Sequence, residues 1–386
     1  MIPRQIASEF KILLEEYPVI TILGPRQAGK TTLARETLPD YEYYNLEIPE
    51  VRMLAEEDPK GFLAQFKRNV ILDEIQRVPG LLSYIQSIVD MNQRNGQFVL
   101  TGSHQLALRE AISQSLAGRS AILNLLPLSM RELSAAGTRF SKFEEYIYHG
   151  FLPRVYDQQQ RPTQAYSNYY QTYVERDVRQ LINLKDMGLF EKFMKLLAGR
   201  VGQLIDYSAL ANNVGVSAKT IKQWLSILEA SFVVYKLAPY FENFGKRVVK
   251  APKYYFLELG LLAFLLGIED PDQIFRDPLV GNMFENLVVV EILKARFNQG
   301  KLANLYFYRD SNKNELDIVY QKGRALIAME VKSSATYHPS LMKALKKVSD
   351  LSADFTQGYL IYAGDDFQFS NQLMAIRYDH IDTIFN

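Results

Sequence analysis

The chain contains no cysteine. Disulfides, thiolate zinc sites and cysteine nucleophiles are therefore excluded, and the absence suits a reducing cytosol. Only four histidines occur, which argues against a histidine-rich metal site. There is no excess charge of either sign: 44 Lys+Arg stand against 43 Asp+Glu, a net charge of +1. Nucleic-acid contact would have to come from a local patch. The N-terminus, MIPRQIASEF, lacks the apolar centre of a signal peptide. The longest apolar stretch, YYFLELGLLAFLLGI (254–268), is interrupted by Glu258 and is too short to span a bilayer. The expectation is a cytoplasmic protein with no membrane partner.

The chain has enough core material, with 48% hydrophobic residues over 386 positions, for two or three domains. Residues 1–135 alternate apolar runs with helical patterns, which implies a parallel sheet flanked by helices. Within them GPRQAGKT (24–31) fits G-x-x-x-x-G-K-[ST], the phosphate-binding P-loop. Gly24 and Gly29 let the backbone turn its N–H groups inward. Lys30 reaches the β- and γ-phosphates, and Thr31 offers a hydroxyl to Mg²⁺. PVITILG (18–24) reads as a buried strand and TTLARETL (31–38) as a helix whose N-terminus favours anions. The expected ATP-binding segment is Gly24, Pro25, Arg26, Gln27, Ala28, Gly29, Lys30, Thr31 and Thr32. Without nucleotide, Lys30 is expected to face solvent.

NVILDEIQRV (69–78) is a hydrophobic run ending in Asp73-Glu74. Asp73 suits the Mg²⁺ position and Glu74 the base that polarises an attacking water. QFVLTGS (97–103) is a third strand, and Ser103 at its tip is the candidate sensor of the γ-phosphate. Arg119, in SLAGRS, is a candidate charge for the γ-phosphate, in cis or from a neighbouring subunit. The alternative is a solvated surface arginine.

The stretch 140–200 reads as helical. Tyr166, Tyr169, Tyr170 and Tyr173 recur at helical spacing, as on a packed helix face. Residues 206–240 read helix, turn at Asn213-Val214-Gly215, helix capped by Ser217, then strand, the layout of a winged helix-turn-helix. Its second helix carries Lys219, Thr220, Lys222 and Gln223, with Trp224 and Leu225 as core. Lys246, Arg247, Lys250 and Lys253 add a basic cluster. DNA contact and structural packing both fit this segment.

From 277 a strongly amphipathic helix (277–297) carries Glu285. Strands follow at 305–310, 315–321 with Asp317, 325–335 with Glu330-Val331-Lys332, and 358–364. This is the order of the PD-(D/E)xK nuclease core. Alternation puts Glu330 and Lys332 on one strand face. Asp317 and Glu330 can share a divalent metal with Glu285, and Lys332 can orient a water.

Taken together, GPRQAGKTTLAR, ILDEIQRVPGLL, LTGS, SLAGR, LPLSMREL, GFLPRV, YVERDV, GVSAKTIKQWLSILEASFVVYKLAPY, KAPKYYFLELGL and EVKSS resemble a family of prokaryotic AAA-type ATPases of largely unassigned role. The resemblance covers nearly the whole chain. It implies an α/β fold: a P-loop (AAA-type) ATPase domain with a parallel sheet (1–135), a middle helical and winged-helix region (136–255) and a C-terminal α/β restriction-endonuclease-like domain (256–386). It also implies ATP and Mg²⁺ as ligands. Where that family usually has aspartate in a D-T-G-L segment, this chain reads Leu257-Glu258-Leu259-Gly260. The expected function is a Mg²⁺-dependent ATPase whose nucleotide cycle controls the C-terminal half, with DNA or another nucleic acid as partner. The alternatives are an ATP-dependent metal nuclease and a nucleotide-controlled interaction switch with a protein partner or homo-oligomer.

Overall fold

The computed structural model describes residues 2–103, 112, 114–175, 187–240, 250–310, 314–349 and 354–385. Lys246 and Arg247 of the expected basic cluster and the 176–178 end of YVERDV lie outside these residues.

The N-terminal region is built on β1 (Val19–Leu23), β2 (Glu42–Asn45), β3 (Val70–Asp73), β4 (Phe98–Gly102) and β5 (Ser120–Asn124). They form a parallel five-stranded sheet in the order β2-β3-β4-β1-β5. Every residue of β1, β3 and β4 is buried, which is why these strands read as unbroken apolar runs rather than alternating ones. Ile6, Phe10 and Leu33 pack on one face with Ile20 and Ile22. Phe62, Leu81 and Ile85 cover the other. The central strands β3, β4 and β1 deliver their C-terminal ends side by side, where open α/β sheets bind ligands.

Helices Phe143–His149, Pro153–Asp157 and Pro162–Tyr169 follow. Tyr166, Tyr169, Tyr170 and Tyr173 are all buried, a packed face as their spacing suggested. Helices Tyr207–Val214 and Ala218–Ala230 are joined by a turn in which Gly215 takes φ +98°, and Ser217 caps the second by accepting from Thr220 N. Trp224 packs edge-on to Phe190 beneath them. An antiparallel pair, β6 (Val234–Pro239) and β7 (Lys253–Phe256), comes next.

This pair continues into the C-terminal sheet, because Ala238 and Pro239 of β6 lie parallel to Tyr306 and Phe307 of β8 (Leu305–Arg309). With β9 (Glu315–Lys322), β10 (Ala325–Lys332), β11 (Phe355–Tyr362), β12 (Phe367–Gln368) and β13 (Leu373–Arg377), it completes eight strands in the order β12-β13-β11-β10-β9-β8-β6-β7. The 255/256 division falls inside β7.

The helix expected to be strongly amphipathic spans Val280–Phe297, and twelve of its residues are buried. It packs on β7 and β10 as well as on the Phe143–His149 helix, so it has no broad solvent face. Its polar residues are partnered instead. Asn286 accepts from Phe256 N and donates to Phe256 O, both at 2.8 Å. Lys294 pairs with Glu291 at 2.7 Å. No helix among the described residues is long and apolar enough to cross a membrane.

Candidate functional site

The segment after β1 forms a tight loop leading into the Lys30–Thr37 helix. A Cβ on Gly24 would lie 2.0 Å from Leu125 O, so only glycine lets the loop pass under the chain after β5. Gly29, at φ +92°, holds the left-handed N-cap position that starts the helix. Arg4 braces the loop from behind, donating at 2.6 Å to Ala28 O and at 2.6 Å to Leu126 O, while its Nε pairs with buried Glu132 at 3.0 Å.

Lys30 does not face solvent. It is 5% exposed, and its ammonium donates to Gly24 O at 3.0 Å and Pro25 O at 2.9 Å. Burial lowers its pKa, opposed by the charges of Glu74 and Asp73. The loop carbonyls occupy the donors that a phosphate would take, so the lysine folds inward. Thr31 Oγ1 donates to the Asp73 carboxylate, 2.9 Å from its Oδ2. Asp73 also accepts from Tyr43 Oη at 2.8 Å and from Thr101 Oγ1. A carboxylate and a threonine hydroxyl side by side are the oxygen donors Mg²⁺ takes in P-loop proteins, so the residues fit the ion.

Glu74 has φ +59°, a left-handed conformation uncommon for a non-glycine residue and frequent at functional sites. The turn aims its carboxylate at the tip of β4. There Glu74 Oε2 accepts from Gln76 Nε2 and from Ser103 Oγ, the latter at 3.3 Å, and Gln76 also donates to Ser103 Oγ at 3.2 Å. The expected base and the expected sensor thus meet directly, and Gln76 bonds to both. Sequence reading passed over this residue, although its place two positions after the acid pair was visible.

A cavity of about 520 Å³ opens over the loop. Arg26, Gln27, Lys30, Thr31, Thr32 and Glu74 line it from the ATPase region. Pro153, Arg154, Asp157, Gln158, Thr172 and Tyr173 line it from the middle region. Arg154, unremarked in the sequence, is held by Gln158 Oε1 at 2.9 Å. An adjoining cavity of about 340 Å³ shares Gly29, Thr32, Pro153 and Asp157 and adds the apolar Ile2, Leu33 and Leu128.

Arg119 is not part of this site. Its carbonyl accepts from Val19 N, at the start of β1, whereas the P-loop follows the end of β1. Five residues of strand, roughly 13 Å at 3.3 Å per residue, separate the two ends of β1. Its guanidinium pairs with Asp90, with Nη2 at 2.9 Å from Oδ2. The cis reading of Arg119 is therefore corrected: it stands at the opposite end of the strands from the P-loop.

In the C-terminal sheet, Asp317 on β9, Glu330 and Lys332 on β10, and Glu285 on the buried helix do approach one another. Two lysines divide them. Lys332 Nζ lies 2.7 Å from Glu330 and 3.3 Å from Asp317. Lys253 Nζ lies 3.2 Å from Glu285 and 2.9 Å from Glu315. Asp317 further accepts from Val331 N at 2.8 Å, and Glu285 from Tyr255 Oη. Among the described residues no three acidic or imidazole side chains are grouped so as to hold a metal ion. In this arrangement the partners of Glu285, Asp317 and Glu330, expected as a metal set, are ammonium and phenol groups. Burial and the Asp317 charge raise Glu330 to about 8 and Glu285 to about 7. Lys253, expected in the basic cluster, is 3% exposed. Strand alternation puts it on the same face as Tyr255, against Glu285.

Glu258 is buried. Its Oε1 accepts from Phe151 N at 2.8 Å, Tyr166 Oη at 2.8 Å and Gly260 N at 3.2 Å. The displaced acid therefore caps the Leu259–Leu265 helix and ties it to the segment that leads to Pro153 and Arg154.

The parallel sheet, the P-loop after β1 and the acid pair after β3 make the N-terminal third an AAA-type P-loop ATPase domain, and a family model described as an AAA domain matches residues 16–134. Two further models, both described as domains of unknown function (DUF8612 and DUF4143), match residues 140–272 and 280–381. An uncharacterized protein of Mycobacterium tuberculosis is 30% identical, over 98% of this chain and 84% of its own length. The chain belongs to that protein's family, with an AAA domain followed by two domains of unassigned role. An uncharacterized protein of Haemophilus influenzae is 26% identical, over 69% of this chain and 66% of its own. Among solved structures, a Walker-type ATPase of Pyrococcus abyssi aligns with a TM-score of 0.41 at 14% identity, over 69% of this chain and 96% of that one.

Proposed function

We propose that the protein is a Mg²⁺-dependent ATPase whose nucleotide state controls the arrangement of its C-terminal half. The observation that carries this reading is the mixed lining of the cavity over the P-loop. Lys30, Thr31 and Glu74 line it together with Pro153, Arg154 and Tyr173 of the middle region. A nucleotide there touches both regions, so loss of the γ-phosphate changes the contacts of both. The Glu258 bonds to Phe151 and Tyr166 carry that change toward residues 256–386.

Thr31 and Asp73 are the residues to hold Mg²⁺, which would neutralise phosphate charge. The adjoining cavity, where Ile2, Leu33 and Leu128 stand beside Arg4, Lys11 and Glu36, suits the base. In hydrolysis Glu74 accepts the proton of the attacking water, the water oxygen bonds to the γ-phosphorus, and the bond to the β-γ bridging oxygen breaks. Ser103 and Gln76 orient the Glu74 carboxylate.

For the C-terminal half, the lysine pairing of Glu285, Asp317 and Glu330 favours a scaffold over a metal nuclease. Exposed Lys219, Lys222 and Gln223 on the Ala218–Ala230 helix favour nucleic acid as the partner of that scaffold. The deciding experiment measures phosphate release with and without duplex DNA or RNA, and hydrogen exchange over 150–173 and 256–386 with ATP and with ADP. Hydrolysis with exchange that differs between the nucleotides supports the reading. No phosphate release, or identical exchange, overturns it. Cleaved nucleic acid on a gel would restore the nuclease.

A further inference from the structure

One face of the ATPase domain is left unused by the nucleotide cavity. Helices Pro59–Ala64 and Leu81–Asn92 border a groove of about 770 Å³. Leu63, Phe66, Ile88, Met91 and Phe98 line it. Its charged lining is basic only: Lys60, Arg68 and Arg94. Tyr84 at its edge is 36% exposed and Met91 is 76% exposed.

Beside the groove, packed on the Pro59–Ala64 helix, the Pro49–Glu57 helix has the opposite character. Ile48, Met53 and Leu54 are 45%, 55% and 46% exposed. The same helix carries the exposed acids Glu50, Glu56 and Glu57 against one half-buried base, Arg52. Among the described residues nine large hydrophobic side chains are exposed, and five of them belong to this part of the chain: Ile48, Met53 and Leu54 at the Pro49–Glu57 helix, and Tyr84 and Met91 on the Leu81–Asn92 helix. Clustering of this kind marks an interaction site, whereas scattered single residues do not.

We infer that this face is a two-fold interface between two copies of the chain, the Pro49–Glu57 helix of each lying in the groove of the other. An apolar ridge with acids and an apolar groove with bases are complementary in shape and charge. The two halves of the pair adjoin, because the Pro49–Glu57 helix runs directly into the Pro59–Ala64 helix that borders the groove. A self-complementary patch is what an isologous contact requires, and such a contact closes at two subunits. Met53 and Leu54 then meet the groove floor, and Glu56 and Glu57 meet the Arg68 and Arg94 rim. The inference does not depend on the nucleotide reading.

Sedimentation velocity of the full chain across the micromolar range tests it. The expected result is a concentration-dependent monomer–dimer equilibrium that weakens with salt and forms nothing larger. Reversing the acids (Glu56→Arg with Glu57→Arg) or the rim (Arg68→Glu with Arg94→Glu) should each weaken dimerisation about tenfold or more, since like charges then face each other. An equimolar mixture of the two reversed proteins should recover wild-type association, because each supplies the charge the other lacks. Met53→Asp should weaken the dimer without a charge partner to rescue it. All these positions are exposed, and circular-dichroism melts verify that the variants fold. A strictly monomeric protein, assembly beyond the dimer, or a dimer indifferent to both reversals overturns the interface.

Discussion

Thr31 Oγ1 lies 3.0 and 2.9 Å from the two carboxylate oxygens of Asp73, bridging the P-loop helix to the end of β3. Tyr43 and Thr101 donate to the same carboxylate, so Asp73 is fixed from three sides before any ligand arrives. A ligand set held in place this way needs little reorganisation on binding. The neighbouring Lys30 is the opposite case, since it must leave Gly24 O and Pro25 O to reach a phosphate.

Lys30→Ala removes the only ammonium at this position. Charge-assisted hydrogen bonds contribute about 1.5–3 kcal/mol, so ATP affinity should fall about 10- to 100-fold by calorimetry. The variant also frees the two loop carbonyls, so apo stability should drop slightly. Unchanged affinity would show that the phosphates bind elsewhere.

Glu74→Gln keeps the shape of the side chain and its contact with Ser103 but cannot take a proton. Hydrolysis should slow by about two to four orders of magnitude while ATP still binds. Gln76→Ala should give a smaller loss, because Gln76 orients the carboxylate and does not itself accept the proton. If Gln76→Ala slows hydrolysis as much as Glu74→Gln, the assignment of the base is wrong.

Arg154 and Arg119 separate what the fold places near the nucleotide from what it does not. Arg154→Ala should weaken ATP binding about tenfold or more, the scale of one lost charge-assisted bond, with ADP less affected. Arg119→Ala should leave single-turnover hydrolysis unchanged in dilute protein, because Arg119 pairs with Asp90 at the far end of the sheet. A slower rate for Arg119→Ala at high concentration alone would point to action from a neighbouring subunit.

The ATPase half was legible because its signals are local. A P-loop fixes residue types at fixed spacing, and a strand buried on both faces writes itself as an apolar run. Arg119 misled because its position follows from where it meets the strand. It precedes β5 and so lies at the wrong end, which a motif does not record. Arg154 and Arg4 were passed over because their roles come from segments packing across the P-loop. Lys253 was misread for the same reason. Its basic neighbours in the chain suggested a surface patch, and only the pairing of β7 with β6 turns it inward to Glu285. The C-terminal strands themselves were readable, but whether their acids meet a metal or a lysine depends on side chains from other elements.

The pH dependence of stability tests the last of these points. In the folded chain Glu330 is raised to about 8 and Glu285 to about 7, by burial and by the Asp317 charge, against an ordinary 4.5. Lys332 opposes the shift of Glu330 but is shared with Asp317, and Lys253 opposes that of Glu285 but is shared with Glu315, so neither ammonium fully compensates its buried carboxylate. Between about pH 4.5 and 8 the native state therefore holds more protons on these groups than the unfolded chain does, and stability falls as pH rises through that window. Below it both states are protonated and the penalty vanishes. Glu330→Gln is neutral at every pH, so it should raise the melting temperature at pH 8 by about 2–4 °C and leave it nearly unchanged at pH 5. Asp317 keeps its bonds to Val331 N and Lys332 in the variant, so the gain reports removed repulsion. Manganese added to Glu74→Gln without nucleotide should shift the melt no more at pH 8 than at pH 5. A manganese-dependent gain that appears only at pH 8, and disappears with Glu330→Gln, would mean that a cation displaces the lysines.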